Sequence, residues 1–206
     1  MVDRETHARL LKEGLQTLSK EGLSGLTIGR LAASADLSKS GFFAHFRSKQ
    51  QLQNELLGAT AQLAQEYVVA PAMAYAEGLP RLRELLDRWL GWSARAGLEG
   101  GCPIAAALFE LDDRDGKVRK HVAELERRWR DLLLAHTKRA IALGHLSTES
   151  DPEQIVWELC GIYLSHHASA RFLRDPKARS RAKTAIEALF VREGAAVETQ
   201  RKRGRK

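Results

Sequence analysis

The stretch that decides the fold is residues 27–49, TIGRLAASADLSKSGFFAHFRSK. Thr27 can cap a short helix beginning at the next residue, and Ser38 can cap a second helix that runs to about Phe46, because a side-chain oxygen at these positions accepts a bond from a free backbone N–H. Residues 36–37 form the turn between the two helices. Two short helices joined by a tight turn are typical of a helix-turn-helix, whose second helix enters the major groove of DNA.

The second of these helices has one apolar side and one side of small residues. At 100° per residue, Phe42 and Phe46 share a side, and we expect both rings to be buried. Ser40 and Ala44 lie opposite them, beside Gly41. Phe43 also flanks this face, which carries no bulky charged group. Such a face lets the helix backbone approach the edges of the bases closely. The pattern therefore predicts that this helix reads DNA.

Apolar spacing predicts helices through most of the remaining chain, and no segment alternates convincingly with the period of a strand. The expected helices after the helix-turn-helix cover residues 49–69, 79–90, 104–111, 117–143, 152–174 and 176–192. The predicted fold class is all-α with about nine helices, in an N-terminal three-helix helix-turn-helix domain over 1–47 and a C-terminal helical domain over 48–192. Residues 193–206 lack apolar periodicity, which predicts a basic, disordered tail.

The charge of the chain is concentrated at its end. The net charge is +7, but residues 201–206 alone carry five positive charges and leave only +2 for the first 200 residues. Bulk charge is therefore weak support for a nucleic-acid partner. No apolar run approaches the roughly 20 residues of a membrane span, and the N-terminus lacks the apolar stretch of a signal peptide. We expect a cytoplasmic protein without a membrane partner.

Motifs for chemistry are weak in this sequence. The two cysteines, Cys102 and Cys160, form no C-x-x-C pair, and we expect both to be buried. Two alternatives remain open: a regulator that senses oxidants through these thiols, and an enzyme that uses Cys102 with a histidine. The acidic loop at residues 112–116 lacks the ligands of a calcium loop. With no nucleophile motif and no phosphate loop, we expect no enzyme activity, no metal and no cofactor.

Residues 7–57 resemble the DNA-binding domain of the TetR family of bacterial regulators. The most diagnostic part is LSKSGFFAHFRSK at residues 37–49, which matches the family's recognition helix and the H-F-x-S-K junction that follows it. The resemblance implies a homodimeric transcriptional regulator, most often a repressor, on near-palindromic double-stranded DNA. It also implies release by a small-molecule effector, whose binding shifts the fourth helix and changes the spacing of the two recognition helices.

The resemblance assigns roles in DNA binding by position. Thr27 would bond a backbone phosphate, Lys39 is the best candidate for a guanine contact, and His45 and Lys49 would contact phosphates. The family commonly has tyrosine where this chain has Phe43, which keeps the ring and loses the phenol's bond to phosphate. The expected DNA-contacting residues are Thr27, Ser38, Lys39, Ser40, Gly41, Phe43, His45 and Lys49.

The C-terminal helices are expected to hold the effector and the partner chain. Aromatic residues suit an apolar ligand pocket, and the expected pocket residues are Trp89, Trp92, Cys102, Phe109, Trp129, Trp157 and Tyr163. The helix at 152–174 is apolar nearly all round, so it must face both its own core and another surface. The resemblance implies that this surface and the helix at 176–192 pair with a second chain. The expected interface residues are Ile155, Leu159, Ile162, His166, Ala170, Ile186 and Leu189.

Overall fold

A computed structural model describes residues 3–196, and within this range every regular element is helical. The helices are α1 (Arg4–Gly25), α2 (Ile28–Ser34), α3 (Lys39–His45), α4 (Lys49–Ala64), α5 (Ala70–Ala72), α6 (Leu79–Trp89), α7 (Trp92–Arg95), α8 (Pro103–Glu110), α9 (Lys117–Ala142), α10 (Pro152–Arg171) and α11 (Ala178–Arg192). In the described part of the chain, nine of them are seven residues or longer. The all-α prediction is confirmed, and the short turns α5 and α7 are additions to it.

Side-chain caps set the starts of the helices in the N-terminal unit. The Thr27 hydroxyl accepts a hydrogen bond from the Arg30 N–H, and the Ser38 hydroxyl accepts one from the Gly41 N–H at 3.1 Å. Ser48 caps α4 through the Gln51 N–H at 3.1 Å. The caps at Thr27 and Ser38 fall where the sequence predicts them. Since each cap satisfies a backbone donor that the helix leaves free, the boundaries follow from local chemistry.

Helix α1 breaks near its end at Gly22, which has φ +71° and ψ −168°. A single further turn follows the break, and its first free amides, those of Leu23 and Ser24, donate to the carboxylate of Glu110 at 3.1 and 3.0 Å. Glu110 is the last residue of α8. A residue from the C-terminal part of the chain therefore caps the end of the first helix.

Helix α4 continues through a π-helical segment, Gln65–Val69, into α5. The Ala70 N–H donates to the Gln65 carbonyl, five residues back. Pro71 follows immediately, and a proline inside a helix lacks the N–H and crowds the preceding turn. The wider turn before it lets the helix pass the proline, so the helix continues beyond its predicted end at residue 69. Segments of this kind are frequent at functional sites.

The C-terminal helices surround a second core. Helix α9 is 26 residues long, or about 39 Å at 1.5 Å per residue, and α10 packs against both α9 and α11. The Ser147 N–H donates to the Glu193 carbonyl at 2.8 Å, and Ala195 is buried. The fold therefore extends beyond the expected tail boundary at residue 193. The remainder of that expected tail, residues 197–206, lies outside the described residues.

Across residues 3–196, no helix combines the length and the apolar character that crossing a membrane demands.

Candidate nucleic-acid interface and internal cavity

The turn between α2 and α3 fixes the orientation of the second helix. The Leu37 N–H donates to the Ala32 carbonyl at 2.9 Å, and Asp36 takes a positive φ of +55°. Phe42 and Phe46 are fully buried, with their ring centroids 5.3 Å apart. The predicted inner face of α3 is therefore confirmed, and its other face is turned outward.

The outward face of α3 carries most of the residues expected to contact bases. Ser38, Lys39 and Ser40 are exposed, and Gly41 is half-buried. The two serine hydroxyls lie 2.8 Å apart. Phe43 is 47% exposed, and its ring meets Phe42 edge-on. These side chains form a surface of small polar groups, one cation and one ring, free of protein cover.

The residues expected to contact phosphates lie at helix ends around α3. Thr27 is exposed at the start of α2, and Lys49 is half-buried at the first position of α4. The His45 ring is half-buried, and its buried Nδ1 atom has no hydrogen-bond partner among the described residues. Sequence reasoning passed over Arg47, which is exposed at the junction between α3 and α4. Its basic character beside the recognition helix was the available signal.

A cavity of about 260 Å³ lies among α4, α6, α8, α9 and α10. Its lining is mostly apolar, and the π-helical segment borders it through Gln65 and Val69. Helix α8 contributes Ile104, Ala105 and Leu108. A mostly apolar cavity of this kind is the usual form of a small-molecule site.

Aromatic side chains form much of the cavity wall. Trp89 stacks on Tyr163 with ring centroids 3.8 Å apart and planes 6° apart, and it meets Trp129 at 4.8 Å. The structure brings five of the seven expected pocket residues to this cavity: Trp89, Trp92, Cys102, Trp129 and Tyr163. Cys160 also lines the cavity. Because α10 is apolar on most sides, the sequence did not indicate which of its residues would face a cavity.

Two expected pocket residues lie elsewhere. Phe109 is 64% exposed, because α8 turns Ala105 and Leu108 toward the cavity and the next position outward. Trp157 is 65% exposed, because the cavity borders α10 only along residues 160–164. The prediction that these two side chains line the pocket is wrong.

Some of the residues expected to contact a second chain are buried, and the others are half-buried. Ile155, Leu159, Ile186 and Leu189 are buried in the chain's own core, so they offer no surface to a second chain and the prediction for them is wrong. Ile162, His166 and Ala170 are half-buried. The exposed large apolar side chains of α10, α11 and the turn between them are Trp157, Phe172, Leu173 and Val191.

Burial favours the neutral form of two cysteines and one tyrosine in the cavity wall. It raises the pKa of the Cys102 thiol, and it raises the pKa of Cys160 to about 11. Burial also raises the pKa of the Tyr163 hydroxyl well above its ordinary value. Since the thiolate is the reactive form of cysteine, neither thiol is activated for nucleophilic chemistry. Among the described residues, no group of three His, Cys, Asp or Glu side chains could hold a metal ion.

Both ends of α8 are hydrogen-bonded to α1. Just before α8, the Gly101 N–H donates to the Ser19 carbonyl at 2.9 Å, and the Gly100 N–H donates to the Ser19 hydroxyl at 3.1 Å. At the other end, Glu110 caps the last turn of α1. The helix that lines the cavity is thus bonded directly to the unit that carries α3.

Comparisons with known proteins agree with this arrangement. The family described as "Bacterial regulatory proteins, tetR family" matches residues 10–56, and the "Tetracyclin repressor-like, C-terminal domain" matches residues 78–186. An uncharacterised HTH-type transcriptional regulator in the lacX 3′ region of Lactococcus lactis subsp. lactis is 24% identical over 123 residues, which are 59% of this chain and 63% of that protein. The matched region therefore spans less than two thirds of that relative.

Two solved structures have the same fold. A TetR transcriptional regulator from Chloroflexus aurantiacus J-10-FL superimposes with a TM-score of 0.83 at 23% identity, covering 92% of this chain and 96% of that one. AibR, solved with isovaleryl coenzyme A and operator DNA, has a TM-score of 0.71 at 18% identity and covers 90% of this chain and 98% of its own. Because the C-terminal family match alone covers more than half of the 206 residues and the N-terminal match covers the helix-turn-helix, the chain belongs to the TetR family of DNA-binding transcriptional regulators.

Proposed function

We propose that the chain is a homodimeric repressor that binds a near-palindromic operator and is released from it by a small, mostly apolar effector. The observation that carries the proposal is the joining of an exposed recognition helix, α3, to an apolar cavity through α4 and α8. A DNA reader without a sensing role has no need of such a cavity. AibR, a protein of the same fold, has been solved with both a small molecule and operator DNA.

The proposed DNA surface consists of α3 and the helix ends around it. Lys39 supplies a cation at the leading end of α3, and Thr27 supplies a hydroxyl and helix N-terminal amides for a phosphate. Lys39 would carry sequence preference, because only contacts to base edges distinguish sequences. Thr27 would support all sequences alike.

The proposed dimer uses the outer face of α10 and α11. Trp157 is 65% exposed, Phe172 is 87% exposed and Leu173 is 67% exposed. Val191 on α11 is also exposed, and pairing with a second chain would remove these large apolar side chains from water. Two-fold pairing on this face would present two copies of α3 to successive major grooves, roughly 34–36 Å apart.

Release would follow from a change in the cavity walls. Helix α4 borders the cavity through Ala61 and Ala64, while Leu52 and Leu56 in its first half belong to the core under α3. An effector that fits a different placement of α4 and α8 would shift the population toward it and alter the spacing of the two recognition helices. DNA affinity would then fall without any change at the DNA surface.

The test is a selection of operator sequences from random duplex DNA, followed by affinity measurements on the selected and a scrambled duplex. We expect Lys39→Ala to reduce the difference in affinity between the selected and the scrambled duplex. Thr27→Ala should weaken binding to both duplexes by the same factor. Lys138→Ala, on the exposed face of α9, is the control. If the selection enriches no sequence, the proposal that the chain binds a specific operator is contradicted. Placing the selected operator before a reporter gene separates repression from activation, since a repressor lowers transcription.

A thiol-sensing regulator of the same fold is the second candidate, because Cys102 and Cys160 line the same cavity. Burial raises the pKa of both thiols, which slows their reaction with oxidants. Peroxide treatment that lowers operator affinity in the native chain but not in the Cys102→Ser, Cys160→Ser variant would establish the thiol mechanism. Equal behaviour of the two chains favours the effector mechanism.

A further inference from the structure

We propose that the effector of this cavity is an apolar acid, whose anionic group is held by Arg128 while its apolar body lies against the aromatic wall. This inference rests on the proposed function of the cavity as the effector site. It adds the chemical class of the ligand, which follows from the balance of charge around the cavity.

The acidic residue of the cavity wall is already neutralised. Glu126 lines the cavity and accepts a hydrogen bond from Arg130 Nε at 2.8 Å. Its side chain is only 19% exposed. A cationic ligand would therefore have to displace Arg130 to reach this carboxylate, and the displaced guanidinium would lose its partner.

The basic residue of the wall is not neutralised. Arg128 lines the cavity on the exposed side of α9, and its Nε atom donates to the Glu124 backbone carbonyl at 3.4 Å. Within residues 3–196, no carboxylate lies at ion-pair distance from Arg128. Its terminal nitrogens are therefore available to a carboxylate, which a guanidinium binds through two parallel hydrogen bonds.

The other polar groups around the cavity are neutral. Gln65 is an amide, and burial keeps Cys102, Cys160 and Tyr163 protonated. Aromatic faces can attract a cation, but one face of Trp89 and one of Tyr163 are taken up by their mutual stacking at 3.8 Å. The wall thus offers one uncompensated charge, and that charge is positive.

The test compares three probes of equal chain length on the full chain by isothermal titration calorimetry at neutral pH. The probes are octanoate, 1-octanol and octylammonium, which share an eight-carbon chain and carry an anionic, a neutral and a cationic head group. We expect octanoate to bind tightest, about threefold to fivefold more tightly than 1-octanol, because an ion pair at an exposed arginine contributes up to about 1 kcal/mol. Octylammonium should bind weakest.

Substitutions on α9 assign the preference to one residue. Arg128→Met keeps the apolar stem and should reduce octanoate affinity to that of 1-octanol, while leaving 1-octanol unchanged. Arg128→Lys should restore part of the difference. Arg127→Met is a matched control, because Arg127 is also exposed, donates through Nε to the carbonyl four residues back, and lies outside the cavity wall.

The outcomes separate this inference from the proposed function. Octanoate preference that disappears in Arg128→Met and persists in Arg127→Met supports the inference. Equal or tighter binding of 1-octanol or octylammonium overturns it, while the cavity remains a receptor. A preference for octanoate that persists in Arg128→Met also overturns the inference and leaves the cavity as a receptor. Failure of all three probes to bind overturns both the inference and the receptor role of the cavity. Octanoate binding that leaves operator affinity unchanged contradicts release by the effector and leaves the ligand class in place.

Discussion

Replacing Gly22 with alanine should destabilise the fold by about 3–5 kcal/mol, through backbone strain and the loss of hydrogen bonds to Glu110. Gly22 has φ +71° and ψ −168°, a conformation that is essentially restricted to glycine. A methyl carbon at this position would lie 2.7 Å from Glu110 Cδ and closer still to its Oε1 atom. The carboxylate would therefore have to move away from α1.

The magnitude is the sum of two costs. Holding a residue with a side chain in this backbone region costs about 1–3 kcal/mol. Moving Glu110 removes its hydrogen bonds from the Leu23 and Ser24 amides, and a hydrogen bond to a charged group contributes about 1.5–3 kcal/mol. Water replaces the bond at the exposed Ser24, so only the bond from Leu23 counts in full. The two costs then sum to about 2.5–6 kcal/mol, and about 3–5 kcal/mol lies in the middle of that range.

Urea and thermal unfolding of the two chains measure the effect. The melting temperature should fall by about 6–20 °C, at 2–4 °C per kcal/mol for a chain of this size. Gly58→Ala is the matched control, because it makes the same change inside α4 at a position with no atom within 4 Å of the added carbon. That substitution should raise stability by up to about 1 kcal/mol through helix propensity.

A double-mutant cycle separates the two costs. In a Glu110→Ala background the carboxylate is gone, and Gly22→Ala should then cost only the backbone strain, about 1–3 kcal/mol. A cost for Gly22→Ala below about 1 kcal/mol in the native chain would refute the strain argument. An equal cost in the two backgrounds would refute the assigned role of Glu110.

Three further predictions test other parts of the molecule. Phe46→Ala removes a fully buried ring and should lower the free energy of unfolding by about 3–5 kcal/mol in urea titrations; a loss below 1 kcal/mol would contradict its place in the core. Phe172→Asp changes a side chain that is 87% exposed and should shift the chain from dimer to monomer in sedimentation velocity, whereas a persistent dimer would rule out this face. Native Cys160, with its pKa raised from 9.0 to about 11, should react with iodoacetamide at pH 8 about a hundredfold more slowly than in the unfolded chain, and equal rates would contradict the shift. Because the pKa is raised, the stabilisation from the neutral thiol is present below about pH 9 and is lost as the pH rises toward 11.

The helix-turn-helix could be predicted from the sequence because local chemistry decides it. Thr27, Ser38 and Ser48 cap their helices through the amide three residues ahead, and the buried pair Phe42 and Phe46 follows from helical spacing alone. Each of these features lies within a few residues of its cause. Local sequence therefore predicts the register of α3. The exposed position of Lys39 follows from that register and requires no knowledge of tertiary contacts.

Features set by distant contacts could not be predicted in this way. Glu110 meets the amides of Leu23 and Ser24 across 87 and 86 positions of the chain, and no local pattern announces the contact. In α10 apolar residues occur on nearly every side, and the sequence-based prediction placed Ile155 at the interface and Trp157 in the pocket. In the fold Ile155 is buried and Trp157 is exposed. The packing of neighbouring helices determines which of the two is buried. The uncompensated charge of Arg128 likewise depends on which carboxylates come within reach in the fold.

The two predicted domains, which meet between residues 47 and 48, share a hydrophobic core. Leu56 of α4, Ala107 of α8 and Val122 of α9 belong to the same hydrophobic cluster as Phe42 and Phe46. A fragment that ended at residue 47 would lose these partners, so we expect it not to fold alone. The recognition helix α3 rests on a core that α4, α8 and α9 complete, and the same three helices line the cavity. One layer of packing therefore separates α3 from the cavity. A shift in those helices would reach α3 through packed side chains and would need no hinge between independent domains.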